Sequence, residues 1–137
     1  MQLLCLGLNH KTAPLAVRER VAFGPEDTGE TVALIKTRLA SADAGGVTEA
    51  MILSTCNRTE IYCAAVDPKR AADSVLELIE ELKGVRTTDL QPHVYVYEQS
   101  EAARHVFRVV SGIDSMVLGE TPVSYTHLRA HETTLHL

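Results

Sequence analysis

Apolar and polar positions change period several times along this chain, and each change marks an element. Residues 3–8 form a short, nearly continuous apolar run that predicts a buried strand. The polar loop Asn9-His10-Lys11-Thr12-Ala13-Pro14 follows, then a short amphipathic stretch over 17–23. Pro25, with Glu26 and Asp27 behind it, predicts a helix start: proline suits a first turn, and acids suit the positive end of the helix dipole. Val32, Ile35 and Leu39 recur at helical spacing, and Gly45-Gly46 ends that segment. Residues 51–55 and 61–66 read as two strands of a hairpin around a polar cluster. Asp67-Pro68 caps a helix with the core stripe Val75, Leu78, Ile79 and Leu82, stopped at Gly84. Residues 94–97 are rich in β formers, and Ser100 opens a last helix predicted to run to about Val117.

The order β-α-β-β-α-β plus a C-terminal helix predicts an α+β fold, a ferredoxin-like split β-α-β sandwich with an antiparallel sheet and helices on one face. No repeat or linker interrupts residues 1–120, which read as one domain. The chain changes character after Glu120: residues 121–137 hold four Thr and three His in seventeen positions. His127 and His131 have ligand spacing for a helix. The string from His131 through Glu132 to His136, however, misses the zincin pattern by one residue, which rotates the second His by about 100° off the shared face. This tail resembles translated sequencing-adapter read-through, and no metal site or other function is assigned to it.

Composition narrows the classes. With 13 basic and 18 acidic residues the net charge is −5, which argues against a broad basic nucleic-acid footprint but not against a local basic site. Aromatic residues are only 4% and Trp is absent, which argues against base-stacking platforms. The apolar start is short and lacks a basic preface, so it reads as a strand rather than a signal peptide. No run approaches the roughly 18 apolar residues of a membrane span. A soluble, cytoplasmic protein with reduced thiols and no membrane partner is expected.

Three cysteines, with no CxxC pair, fit neither a zinc ribbon nor a thioredoxin-type couple. Cys5 and Cys63 lie inside apolar runs and read as core packing. Cys56 lies in the polar cluster Ser54-Thr55-Cys56-Asn57-Arg58-Thr59-Glu60, beside an arginine. That placement suits either an exposed thiol activated by a neighbouring cation or an ordinary polar turn. On a helical wheel with His105 at zero, Arg108, Gly112 and Ser115 fall at about −60°, −20° and −80°. Ala103, Val106, Phe107, Val110, Ile113 and Val117 fall between about 80° and 200°. His105, Arg108, Gly112 and Ser115 are therefore expected on a polar face away from the core, either a site wall or a solvated surface. His10 reads as a surface or turn-bonding residue.

Three motifs are together recognisable. Gly7-Leu8-Asn9-His10-Lys11-Thr12-Ala13-Pro14, Leu53-Ser54-Thr55-Cys56-Asn57-Arg58-Thr59-Glu60, and Arg108 through Ser111-Gly112-Ile113-Asp114-Ser115-Met116-Val117-Leu118-Gly119-Glu120 resemble glutamyl-tRNA reductase in its N-terminal catalytic domain. The resemblance covers residues 1–120. It implies reduction of glutamyl-tRNA(Glu) to glutamate-1-semialdehyde with NADPH, through a thioester on Cys56, early in tetrapyrrole biosynthesis. It further implies His105 as a catalytic proton-handling residue and Arg58 as the group that binds the glutamate carboxylate. Thr55, Asn57 and Ser115 would line the same pocket, and Glu120 would begin a substrate-contacting motif that Thr121 interrupts. The family continues into NADPH-binding and dimerisation domains, which are absent from these 137 residues. A homodimer through the missing C-terminal domain, and a glutamate-1-semialdehyde aminotransferase as candidate partner, follow from the same resemblance. Alone, the chain is expected to be at most a thioester-forming esterase. The alternatives are a non-catalytic ferredoxin-like binding module and a stand-alone thiol hydrolase.

Overall fold

The computed structural model describes residues 1–112. The expectations that fall on Ser115, Glu120, residues 121–137 and the last helix beyond residue 112 lie outside them. Four strands, β1 (Gln2–Asn9), β2 (Val47–Ser54), β3 (Arg58–Ala65) and β4 (Tyr95–Glu98), make one sheet in the order β2-β3-β1-β4, antiparallel throughout. The helices are α1 (Leu15–Val21), α2 (Pro25–Arg38), α3 (Pro68–Lys83), the single turn α4 (Thr87–Leu90) and α5 (Ser100–Val110). This is the split β-α-β arrangement expected from the sequence. Among the described residues no helix is long and apolar enough to cross a membrane.

The helix boundaries follow the punctuation. Pro25 opens α2 with Glu26 and Asp27 in its first turn. Asp67 caps α3 by accepting a hydrogen bond from the Arg70 N–H. Gly84 ends α3 at φ 68°, a left-handed conformation that costs a residue without Cβ little. The helix α4 was not foreseen; its four residues are too few to show a helical apolar period.

Alternation along the strands divides the core in two. Leu4, Leu6 and Leu8 of β1, Ala50 and Ile52 of β2, and Ile61, Cys63 and Ala65 of β3 face α2 and α3 in the main core. Cys5 and Tyr62, with half-buried Leu3, Met51, Tyr95 and Tyr97, face the other way, where Ala102 and Val106 of α5 cover them. The element order led to an expectation of helices on one face only; α5 departs from it by covering the other face as a third layer. The chain crosses to that layer at Gln99, held at φ 58° and ψ −127°, a costly backbone for a residue with a Cβ. Its N–H is fixed by the Leu3 carbonyl at 2.8 Å.

Gly7 of β1 stands opposite both Glu60 of β3 and Tyr95 of β4. A Cβ there would lie 2.7 Å from Glu60 Cγ and 2.8 Å from the Thr59 carbonyl oxygen. Gly7→Ala is therefore expected to displace Glu60 and to lower stability by about 1–3 kcal/mol, measured by urea denaturation. An unchanged midpoint would mean that β3 can yield at this point.

Candidate active site

Glu60 lies at the centre of the α5-facing layer. It is on a strand paired on both sides, and its side chain is fully buried. A carboxylate there must have partners, since an isolated buried charge is very unfavourable. Tyr62 donates its hydroxyl to Oε1 at 2.9 Å. Tyr95 and His105 both donate to Oε2, the latter through Nε2, and Arg58 Nη1 lies 3.5 Å from the same oxygen. Burial alone would raise the Glu60 carboxyl. The hydrogen bonds from His105 and Tyr95 and the Arg58 charge outweigh it, and the group is held below the ordinary glutamate value.

His105 is placed by the same carboxylate. Its ring packs between Tyr97, with centroids 4.8 Å apart, and Tyr95 at 5.3 Å and 62°. Only 6% of the residue is exposed. This corrects the helical-wheel expectation. The buried face of α5 holds Ala102, His105 and Val109, whereas Phe107 is 72% exposed and Val110 is 38% exposed. The physical reason is that the buried carboxylate needs a donor, so a polar side chain takes the inner face and apolar ones are left outside. Arg108 is exposed, as expected. With Nε2–H bonded to the carboxylate, a neutral His105 ring keeps Nδ1 as an acceptor, the form suited to proton handling.

The donor atoms of Cys5, Glu60 and His105 lie within 4.8 Å of one another, a set whose chemistry zinc would accept. Here, however, the Glu60 oxygens already accept from Tyr62, Tyr95 and His105, and Arg58 supplies the positive charge. Cys5 is also held as the neutral thiol, pushed well up by burial and by the Glu60 charge. These residues fit a satisfied proton network better than a metal cage.

Cys56 occupies a different setting, at the exposed tip of the β2–β3 hairpin. The Thr55 N–H bonds the Arg58 carbonyl at 2.8 Å to close the loop, and Asn57 N–H donates to Thr55 Oγ1 at 3.2 Å. Arg18 of α1 clamps the tip by donating to the Cys56 carbonyl at 2.9 Å and the Ala13 carbonyl at 3.2 Å. The thiol lies 3.8 Å from Asn57 Oδ1. Thr55, Cys56, Asn57 and Arg58 are thus brought together, and Arg58 links the loop to the Glu60 network. Among the described residues no hydrogen bond joins Cys56 directly to His105. Cys63, like Cys5, is buried, and burial pushes its thiol up to about 12.

Glu60, Tyr62, Tyr95 and Tyr97 were not singled out from the sequence as site residues. The available signal was the period-two row Arg58, Glu60, Tyr62, which becomes one face only if the strand begins at Arg58 rather than at 61.

The family model described as "Glutamyl-tRNAGlu reductase, N-terminal domain" matches residues 6–132. The chain belongs to that family. The matched stretch runs past the boundary drawn at Glu120. Among solved structures, glutamyl-tRNA reductase from Methanopyrus kandleri is similar with a TM-score of 0.58 and 28% identity over 98% of this chain. The chain spans only 29% of that protein's length.

Two outcomes follow for a member of this family with such a site. Iodoacetamide near neutral pH should label Cys56 alone in the native protein and all three cysteines in urea, as read by peptide mass mapping. Rapid native labelling of Cys5 or Cys63 would contradict the burial described here. Because Glu60 titrates below its ordinary value when folded, its contribution to stability is present above about pH 4.3 and is lost as pH falls through the folded value. Glu60→Gln should lower stability at neutral pH by about 3 kcal/mol and flatten the acid limb between about pH 5 and 3, measured by urea melts across that range. Parallel acid limbs would show that another carboxylate dominates.

Proposed function

We propose that this chain carries the thiol half of glutamyl-tRNA reduction in tetrapyrrole biosynthesis. The Cys56 thiolate attacks the ester carbonyl that joins glutamate to the RNA 3′ end. The new S–C bond replaces the C–O bond, the RNA leaves as its ribose hydroxyl, and glutamate remains as a thioester on Cys56. His105, held by Glu60 through Nε2, takes the Cys56 thiol proton on Nδ1 as the thiolate forms and returns it to the leaving ribose oxygen. Thiolate attack on an activated ester suits the residues, because sulfur is a strong nucleophile and needs no metal to act.

The observation that carries the proposal is the contrast among the three thiols within a family member. Cys56 is presented at an exposed hairpin tip clamped by Arg18, while Cys5 and Cys63 are sealed in the sheet. Thr55 and Asn57 line the loop around the thiol. A substrate carboxylate reaching Arg58 shares a guanidinium that already faces Glu60, and the five N–H donors of arginine make such sharing feasible.

Turning the thioester into glutamate-1-semialdehyde would need a hydride, which the resemblance assigns to NADPH. The described residues do not fit that cofactor: no strand among them runs through a glycine-rich turn into a helix that would cradle a pyrophosphate. No step of the reduction is therefore assigned to them.

The test is acylation. Incubated with glutamyl-tRNA, the chain should gain the mass of one glutamyl group on the Cys56 peptide, or release glutamate at a rate that Cys56→Ala abolishes. His105→Ala should slow acylation by roughly 100-fold or more, the usual contribution of a general acid or base. Full activity in Cys56→Ala would overturn the proposal. Neither acylation nor release would favour a non-catalytic binding module.

A further inference from the structure

Beside His105, where α5 meets β4, lies a cleft of about 160 Å³ lined by Tyr97, Glu101, Arg104, His105 and Arg108. Its position follows from the path of α5. Ala102 packs at the level of Cys5 and Tyr62, and His105 reaches Glu60, so the helix advances along β3 toward Arg58 and the Cys56 loop. Arg104 and Arg108 stand one turn apart, about 6 Å along the axis. Both are exposed, and among the described residues neither guanidinium has an ion pair or hydrogen bond. Tyr97 is half-buried, with its ring against His105. Glu101 supplies the one carboxylate in the lining.

These groups have complementary chemistry. Paired guanidiniums recognise phosphates, an aromatic face recognises a base, and a carboxylate accepts from an exocyclic amine while repelling phosphate. The cleft is large enough for a flat ring and too small for a duplex. We infer that it receives the unpaired 3′ end of the aminoacylated RNA, with Arg104 and Arg108 on successive phosphates and the Tyr97 ring beneath a base. The inference rests on the acyl-transfer reading and adds to it a surface and a direction. The strand runs along α5 so that the nucleotide nearest Arg108 is closer to Cys56 than the one nearest Arg104. The low aromatic content does not oppose this, since one terminal base needs one ring. Three of the chain's four tyrosines, Tyr62, Tyr95 and Tyr97, lie in this layer.

The experiment uses the 137-residue chain and a fluorescent RNA hairpin, either blunt or with a four-nucleotide 3′ overhang, in anisotropy titrations at several salt concentrations. The overhang hairpin should bind more tightly than the blunt one. Arg104→Ala and Arg108→Ala should each reduce the slope of log K against log salt by about 0.7, the value for one single-strand phosphate contact. Lys69→Ala, on α3 in the opposite layer, should leave the slope unchanged. Tyr97→Leu should weaken overhang binding about tenfold, while Tyr97→Phe, which keeps the ring, should not. Equal binding of the two hairpins, no binding of either, or unchanged slopes in both arginine variants would overturn the inference. If Cys56 is acylated while the arginine slopes stay unchanged, the thioester reading stands and this surface is wrong. If the arginines hold the overhang and Cys56 is never acylated, the surface stands and the thioester reading falls.

Discussion

A fully buried carboxylate on a central strand forces a set of other choices, and Glu60 is that carboxylate. Such a charge cannot be left alone, and breaking a buried pair typically costs about 3–5 kcal/mol. Its partners must therefore come from every element within reach. Arg58 and Tyr62 come from the same face of β3, Tyr95 from β4 and His105 from α5. The constraint spreads from there. Gly7 must lack a Cβ because the Glu60 stem crosses directly over it. Gln99 must take an unfavourable backbone so that the chain can turn onto the second face and deliver His105. Strain at the entry to α5 is tolerable because the network it completes is satisfied.

Much of the main core was legible from local signals. The proline starts, the Asp67 cap and the Gly84 stop each have one dominant physical cause and act over a few residues. The second layer was less legible, for two identifiable reasons. Beginning the hairpin's second strand at 61 left Arg58 and Glu60 in a loop, where they read as independent polar residues. Extending the strand to Arg58 puts Arg58, Glu60 and Tyr62 on one face, and the network becomes visible. The wheel for α5 was read by hydrophobicity alone, which assigned the inward face to residues such as Phe107. Tertiary electrostatics chose His105 instead. Cys56 was legible because its surroundings form a specific motif, and the motif carries more information than the cysteine itself.

On the acyl-transfer reading proposed above, the two chemical components are held differently, and that difference suits their tasks. Proton handling needs a fixed ring in a fixed tautomer, which the Glu60 bond and the flanking tyrosines provide for His105. A nucleophile that meets a large substrate needs access, which the hairpin tip provides for Cys56. Access without definition would waste orientation, and here the Arg18 clamp and the Thr55–Asn57 turn limit the movement of the tip. Arg58 joins the two components. Its backbone carbonyl closes the loop while its guanidinium faces Glu60.

The charge distribution gives the same layer a polarity. An acidic chain repels a polyanion at long range, so the proposed capture of an RNA end calls for cations outside ion pairs. Arg58 is buried against a carboxylate, and Arg38 is paired with Glu81. Arg104 and Arg108 remain open on the helix that the Glu60 network pins to the sheet. The buried charge that fixes His105 on the inner face of α5 thereby also fixes the outward direction of both arginines, because a helix pinned at one residue cannot rotate the others. On the two proposals, one buried carboxylate sets both the catalytic geometry and the anion capture, on adjoining faces of the same helix.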